Sequence, residues 1–263
     1  MKLYNYHTHT ERCKHATGED EAFVKAAIEA GFSEIGFSDH SPWPFENGYV
    51  SYMRMTPEQL PGYVDSVKGL REKYKDKITI RLGLECEYFK KYIPWLKTVL
   101  HEYGFDYIIL GHHYSPDEPT GVYNGMITEP GELENYKNDV VEAIESGLFS
   151  YVAHPDLFMR MYPSFDRECE RASREIIEKA MACGVPLEYN LLGFAHGIED
   201  GRQGYPYPDF WRIAGEMGAT AVIGIDAHKP EAYFDKALRD KAIETLLSYG
   251  LKLTDTIELT KFR

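Results

Sequence analysis

The chain has 263 residues, enough for one domain with a large core, and its 43% hydrophobic and 27% charged residues are ordinary for a globular protein. A formal net charge of −13 argues against a sequence-independent grip on long nucleic acid, and no apolar run reaches the ~18 residues of a membrane span. The four cysteines, Cys13, Cys86, Cys169 and Cys183, show no C-x-x-C spacing, so we read free thiols in a soluble, cytoplasmic protein without an export signal.

In chain order, short apolar runs rich in β-branched and aromatic residues alternate with longer stretches of helical period. LYNYH (3–7) opens the series before a helical pattern near 20–31. EIGFSDH (34–40) precedes one near 57–75, ITIRLGLE (78–85) one near 92–103, and YIILGHH (107–113) one near 132–147. FSYVAH (149–154) precedes 166–183, PLEYN (186–190) precedes 208–217, and AVIGIDAH (221–228) precedes 230–249. Seven strand-then-helix units imply a parallel sheet. No linker or repeat divides the chain, so residues 1–263 are expected to form a single domain. The expected fold is α/β, a distorted (β/α)7 barrel resembling a TIM barrel; a doubly wound open sheet is the competing arrangement.

The ends of these runs favour the barrel. His7 and His9 are two apart at a strand end and so share a face, with His15 close behind. His40 ends the second run, Glu85 the third, His112 and His113 the fourth, His154 the fifth, and Asp226 with His228 the seventh. A closed parallel barrel gathers such carboxyl ends on one face, whereas an open sheet strings them along an edge. Imidazoles with a few carboxylates suit zinc, iron or manganese. Spacing leaves two choices open, because Glu87 also stands two residues from Glu85 and His112 adjoins His113. His101 lies inside a helical pattern and reads as structural, while His196 lies in a Gly-rich loop.

A cationic centre would hold an anion despite the acidic chain. Arg160 in HPDLFMR and Arg202 in DGRQGYPYP rank first as guanidinium partners for such an anion, ahead of Arg54. The aromatic stretch SPWPFENGYVSYMRM (41–55) follows His40, so Trp43, Phe45, Tyr49 or Tyr52 either overhangs the barrel mouth or tucks onto the barrel's own surface. Tyr114 and Tyr123 belong to a similar loop after the fourth run.

As an ordered set, YHTHTERCKH, FSDH, LGLECEY, ILGHHY, AHPD, LEYNLLGF and GIDAH resemble the PHP (polymerase and histidinol phosphatase) superfamily, and within it the histidinol-phosphate phosphatases. The resemblance spans essentially the whole chain and implies a distorted barrel of seven βα units carrying three divalent metal ions. One ion would take His7, His9, Glu85 and Asp226; a second would share Glu85 and add His113 and His154; the third would take His15, His40 and His228. Glu85 is thereby chosen over Glu87 and His113 over His112, and Cys13 and Cys86 are left as bystanders.

The implied activity is hydrolysis of L-histidinol phosphate in histidine biosynthesis, by in-line attack of a hydroxide bridging two metals. Three divalent ions less two carboxylates and one hydroxide leave a site charge of about +3. The catalytic set is then Glu85, Asp226 and His196, with His196 or Asp226 protonating the leaving group. Arg160, Arg202, Trp43 and Tyr114 are the expected substrate contacts. In GFAHGIEDGRQGYPYP, Ala195 or His196 stands where many relatives place an arginine, so Arg202 would substitute, or the substrate differs. The alternative reading is a PHP phosphoesterase for another small phosphomonoester, a nucleotide or phosphotyrosine. A non-catalytic metal-dependent module is disfavoured by the full ligand set. The expected partner is a small phosphorylated molecule, with no long nucleic acid and no membrane; the sequence sets no oligomeric state.

Overall fold

A computed structural model describes residues 3–201, 204–259 and 262. β1 (Leu3–Asn5) leads through a 3-10 turn at Glu11–Cys13 into α1 (Asp20–Glu29), and β2 (Phe32–Phe37) through a long loop into α2 (Leu60–Tyr74). β3 (Thr79–Cys86) is followed by α3 (Ile93–Tyr103). β4 (Tyr107–Leu110) precedes an antiparallel hairpin of β5 (Tyr114–Ser115) and β6 (Val122–Tyr123), then α4 (Pro130–Glu145) and α5 (Arg167–Cys183). β7 (Leu187–Asn190) runs directly into α6 (Leu191–Asp200), and α7 (Pro208–Met217), β8 (Thr220–Gly224), α8 (Lys236–Ser248) and β9 (Lys252–Leu253) complete the order.

The strands β1 to β4 form one parallel sheet and β7 to β9 another. Single bridges join the two sheets on both sides. Val152 pairs in parallel with both Leu110 and Leu187, with Leu110 donating to the Tyr151 carbonyl over 3.0 Å and Glu188 to the Val152 carbonyl over 2.8 Å. Across the other gap Thr8 pairs with Ala227, whose N–H reaches the His7 carbonyl at 3.0 Å while His9 donates back at 2.9 Å. The ring thus closes as a distorted barrel, and the expected fifth strand is reduced to one bridge per side. The segment leaves extended backbone at His154, where φ is 31°.

Both faces of the sheet are buried, as a parallel barrel requires. Along β4, Ile108 and Leu110 join the large core beneath the helices, while Tyr107 and Ile109 join a second cluster with Tyr6, Tyr151, Ala153 and Val222. This period of two separates the barrel interior from the helical layer. The Tyr107 hydroxyl stays paired there by donating to the Tyr6 carbonyl at 2.7 Å.

Helix ends follow local chemistry. The Asp166 carboxylate accepts from the N–H groups of Glu168 and Cys169 to start α5, and Gly184 at φ 68° ends it. Its buried residues Cys169, Ala172, Ser173, Ile176, Ile177 and Ala180 recur at three- and four-residue intervals, one apolar stripe against the core. Residues 191–200 depart from the expected Gly-rich loop: the Asn190 side chain accepts from Gly193 N–H at 2.9 Å and caps α6. Among the described residues no helix is long and apolar enough to cross a membrane.

Candidate metal centre

The closing bridge between Thr8 and Ala227 sets the segments that follow β1 and β8 side by side. His7 Nε2 and His9 Nε2 lie 3.1 Å apart, and Asp226 Oδ1 lies 3.3 and 3.1 Å from them. Glu85 Oε2 approaches the same nitrogens at 3.5 and 3.4 Å. Donors bonded to one metal at ~2.1 Å with tetrahedral angles stand about 3.4 Å apart, so these four atoms have the spacing of a coordination shell. Buried Glu85 Oε2 and Asp226 Oδ1 have no hydrogen-bond partner among the described residues, a state costly to leave uncompensated and natural for cation ligands.

The other oxygen of Glu85 serves a second group. Oε1 lies 2.9 Å from His154 Nε2 and 3.5 Å from His113 Nε2. The donor atoms of His15, His40 and His228 form a third group, all within 4.8 Å of one another. His40 stands between groups, since its Nδ1 is 3.0 Å from Glu85 Oε2 and it also clusters with Glu85 and His113. The structure therefore brings together all nine residues expected from the resemblance, and their donor set fits divalent cations.

Backbone geometry is committed to this arrangement. His154 and Asp226 adopt φ of 31° and 54°, a left-handed region that costs a non-glycine residue about 1–3 kcal/mol. Two glycines clear space for carboxylates: a Cβ on Gly111 would lie 1.9 Å from Glu85 Oε1, and one on Gly224 would lie 1.5 Å from Glu188 Oε1.

An outer ring of partners turns the imidazoles inward. His7 Nδ1 donates to Glu188 Oε1 at 2.8 Å, His113 Nδ1 to Glu87 Oε1 at 3.1 Å, His15 Nδ1 to the Cys13 carbonyl at 2.7 Å, and His228 Nδ1 to the Asp226 carbonyl at 3.0 Å. Each such bond fixes the ring and frees Nε2 for the centre. Glu87 is thus a buried support, also receiving Arg54 and the Trp43 indole, and it separates cleanly from Glu85. His112 turns away, toward Ser115 Oγ at 3.0 Å and Asp139 Oδ2 at 3.3 Å. Glu188 and Asn190 were missed by sequence reasoning; Asn190 Nδ2 bridges Glu188 Oε2 at 3.2 Å and Asp226 Oδ2 at 3.1 Å. Their i, i+2 spacing at the end of PLEYN, the run that forms β7, was the available signal.

The electrostatics favour bound cations. Burial opposes charge on Glu85, yet His113, His7 and His40 hold its carboxyl well below the usual range. Asp226 is likewise held down against burial, by His7 and His228. Burial also opposes charge on His7 and His9, but Asp226 foremost among their neighbours raises both well above an ordinary imidazole. That pull toward a proton measures the negative potential a metal ion would meet. Burial, reinforced by His9 and His113, pushes His40 well below the usual value and keeps it neutral, the form that ligates.

The centre opens into a cavity of about 820 Å³. Arg160 and His196 both line it, Arg160 with its guanidinium 5.7 Å from the Tyr123 ring centroid and His196 exposed on α6. Two other expected substrate contacts, Trp43 and Tyr114, and the weaker candidate Arg54 lie elsewhere. Trp43 is buried against Phe89 and donates to Glu87 at 2.7 Å, because the loop after His40 tucks its aromatic start into the core. Tyr114 is buried with its hydroxyl on that of Tyr52. Arg54 is fully engaged by Glu87, Glu118 and the Ser41 carbonyl at 2.7 to 3.0 Å. Arg202 lies outside the described residues.

Comparison with known proteins agrees with this geometry. A probable histidinol-phosphatase from Deinococcus radiodurans is 32% identical, over 87% of each chain. A histidinol-phosphatase from Bacillus subtilis is 24% identical, covering 87% of this chain and 94% of its own. The fold matches that of a histidinol phosphate phosphatase from Lactococcus lactis, solved with zinc, L-histidinol and phosphate, at a TM-score of 0.73 with 21% identity and 97% and 98% of the two chains covered. The PHP domain itself matches residues 5–190, and with the strand-end ligands assembled as described the chain belongs to the PHP domain family.

Proposed function

We propose that this protein is a metal-dependent phosphatase that hydrolyses L-histidinol phosphate to L-histidinol and inorganic phosphate. The observation that carries the reading is the convergence of nine ligand-type side chains, eight of which line one cavity with Arg160 on its wall. The relatives' named activity, over nearly their whole length, supplies the substrate.

In this reading His7, His9, His15, His40, Glu85, His113, His154, Asp226 and His228 would hold three divalent ions, of zinc, iron or manganese. Bound there, the ions supply Lewis-acid polarisation of phosphoryl oxygens and a water made nucleophilic near neutral pH. The chain's part is to place and shield. Glu188, Asn190 and Glu87 hold the ligands in one geometry, and Arg160 offers a fork of donors to the phosphoryl oxygens. Asp226 Oδ2 accepts from Asn190, Oδ1 faces the centre where it would ligate, and His7 and His228 hold the carboxyl well below the usual range, so Asp226 has no proton to give. That leaves His196, on the cavity wall, as the group placed to protonate the departing alkoxide.

The test is phosphate release by the metal-analysed protein from L-histidinol phosphate, nucleoside monophosphates, a phosphotyrosyl peptide and an activated aryl phosphate. A kcat/KM for histidinol phosphate several decades above the rest supports the reading. Low, even activity across the panel moves the substrate elsewhere and leaves the metal chemistry standing.

A further inference from the structure

The 3-10 turn at Glu11–Cys13 presents a thiol to the centre. Lys14 takes φ 69° and donates to the Glu11 carbonyl at 3.0 Å, folding the chain back so that Cys13 is 0% exposed. The other two buried cysteines, Cys86 and Cys169, belong to the large apolar core, whereas Cys13 belongs to neither hydrophobic cluster. Its neighbours are imidazoles instead: Cys13 Sγ and donor atoms of His9 and His228 all lie within 4.8 Å of one another.

Those imidazoles are short of partners. Among the described residues buried His9 Nδ1 has no hydrogen-bond partner, Asp39 Oδ1 standing off at 3.6 Å, and buried His228 Nε2 has none either. The sulfur accepts a hydrogen bond from the Ala16 N–H at 3.2 Å, a donor that suits a sulfur anion. We propose that Cys13 ligates, as a thiolate, the ion held by His228 with His15 and His40. The proposal rests on the metal-centre reading above and adds sulfur to a site otherwise read as nitrogen and oxygen only. On binding, the sulfur forms a bond to the metal and its proton leaves to solvent; nothing is oxidised or reduced. A soft thiolate then favours zinc or iron at this position over manganese or magnesium.

The experiment replaces the native metals with cobalt(II) in the full-length protein and records its spectrum. A near-ultraviolet thiolate-to-cobalt charge-transfer band is expected, lost in Cys13→Ser and kept in Cys183→Ser, the exposed thiol. Visible cobalt bands without the charge-transfer band would overturn the role of Cys13 and leave the metal centre intact. Failure to bind cobalt at all would sink both readings. Should Cys13→Ser not fold, X-ray absorption at the zinc edge of the unaltered protein decides: a sulfur shell at ~2.3 Å supports the ligand, and nitrogen and oxygen alone at ~2.0–2.2 Å refute it.

Discussion

His7 Nδ1 donates to Glu188 Oε1 across 2.8 Å, a bond between side chains 181 residues apart and both closed to solvent. It holds His7 Nε2 toward Asp226 and Glu85 and raises the basicity of the ring. Glu188→Gln keeps the shape and removes the charge, so metal affinity should fall about 10–100-fold with the fold retained. Competition against a chromophoric chelator measures this; an unchanged affinity would show that His7 needs no such support.

Arg54 is buried and fully paired, so its replacement by Met should act on stability and not on substrate binding. Glu87 and Glu118 would be left as buried carboxylates without their cation, a loss of about 3–5 kcal/mol in denaturant unfolding. Wild-type stability in Arg54→Met, together with a raised KM, would return Arg54 to the phosphate.

His196→Gln separates proton donation from binding. Release of an alcohol such as histidinol needs a proton, whereas an activated aryl phosphate leaves as a stable anion. We expect kcat to fall about 100-fold or more with the alcohol ester and to change little with the aryl ester. Equal losses on both substrates would assign His196 to binding or structure.

Removing metal should abolish activity and lower Tm together. Ions that bind only the folded chain stabilise it by mass action, about 2.7 kcal/mol for one site at a hundredfold excess over Kd. Calorimetry with and without a chelator checks this, and both activity and Tm should recover when metal is restored.

Away from the centre, Lys137 and then Arg171 draw the Glu134 carboxyl down to about 2. A lowered folded-state pKa stabilises above the ordinary value of ~4.3, and that contribution fades as pH falls toward 2. Because Glu134 is 37% exposed, solvent screening limits it to under about 1 kcal/mol. Glu134→Gln should therefore be slightly less stable than wild type at pH 7 and indistinguishable at pH 2; a gap that widens in acid would reverse the assignment.

Seven βα units and a ring of metal-binding residues at the strand ends were legible in the amino-acid sequence itself. Strand periodicity is local, and parallel closure sends every carboxyl end to one face, so His7, His40, Glu85, His113, His154 and Asp226 could be placed together before any contact was known. The family resemblance, not spacing, chose Glu85 over Glu87 and His113 over His112. The tertiary structure supplied the physical reason, because Glu87 supports His113 from behind and His112 faces Asp139. It alone turned Trp43 and Arg54 into the core, made 191–200 a helix capped by Asn190, and set Cys13 among imidazoles. Those outcomes depend on which distant side chain fills the space behind each ligand. Such pairings join residues from strands far apart in the chain, and no local period encodes them.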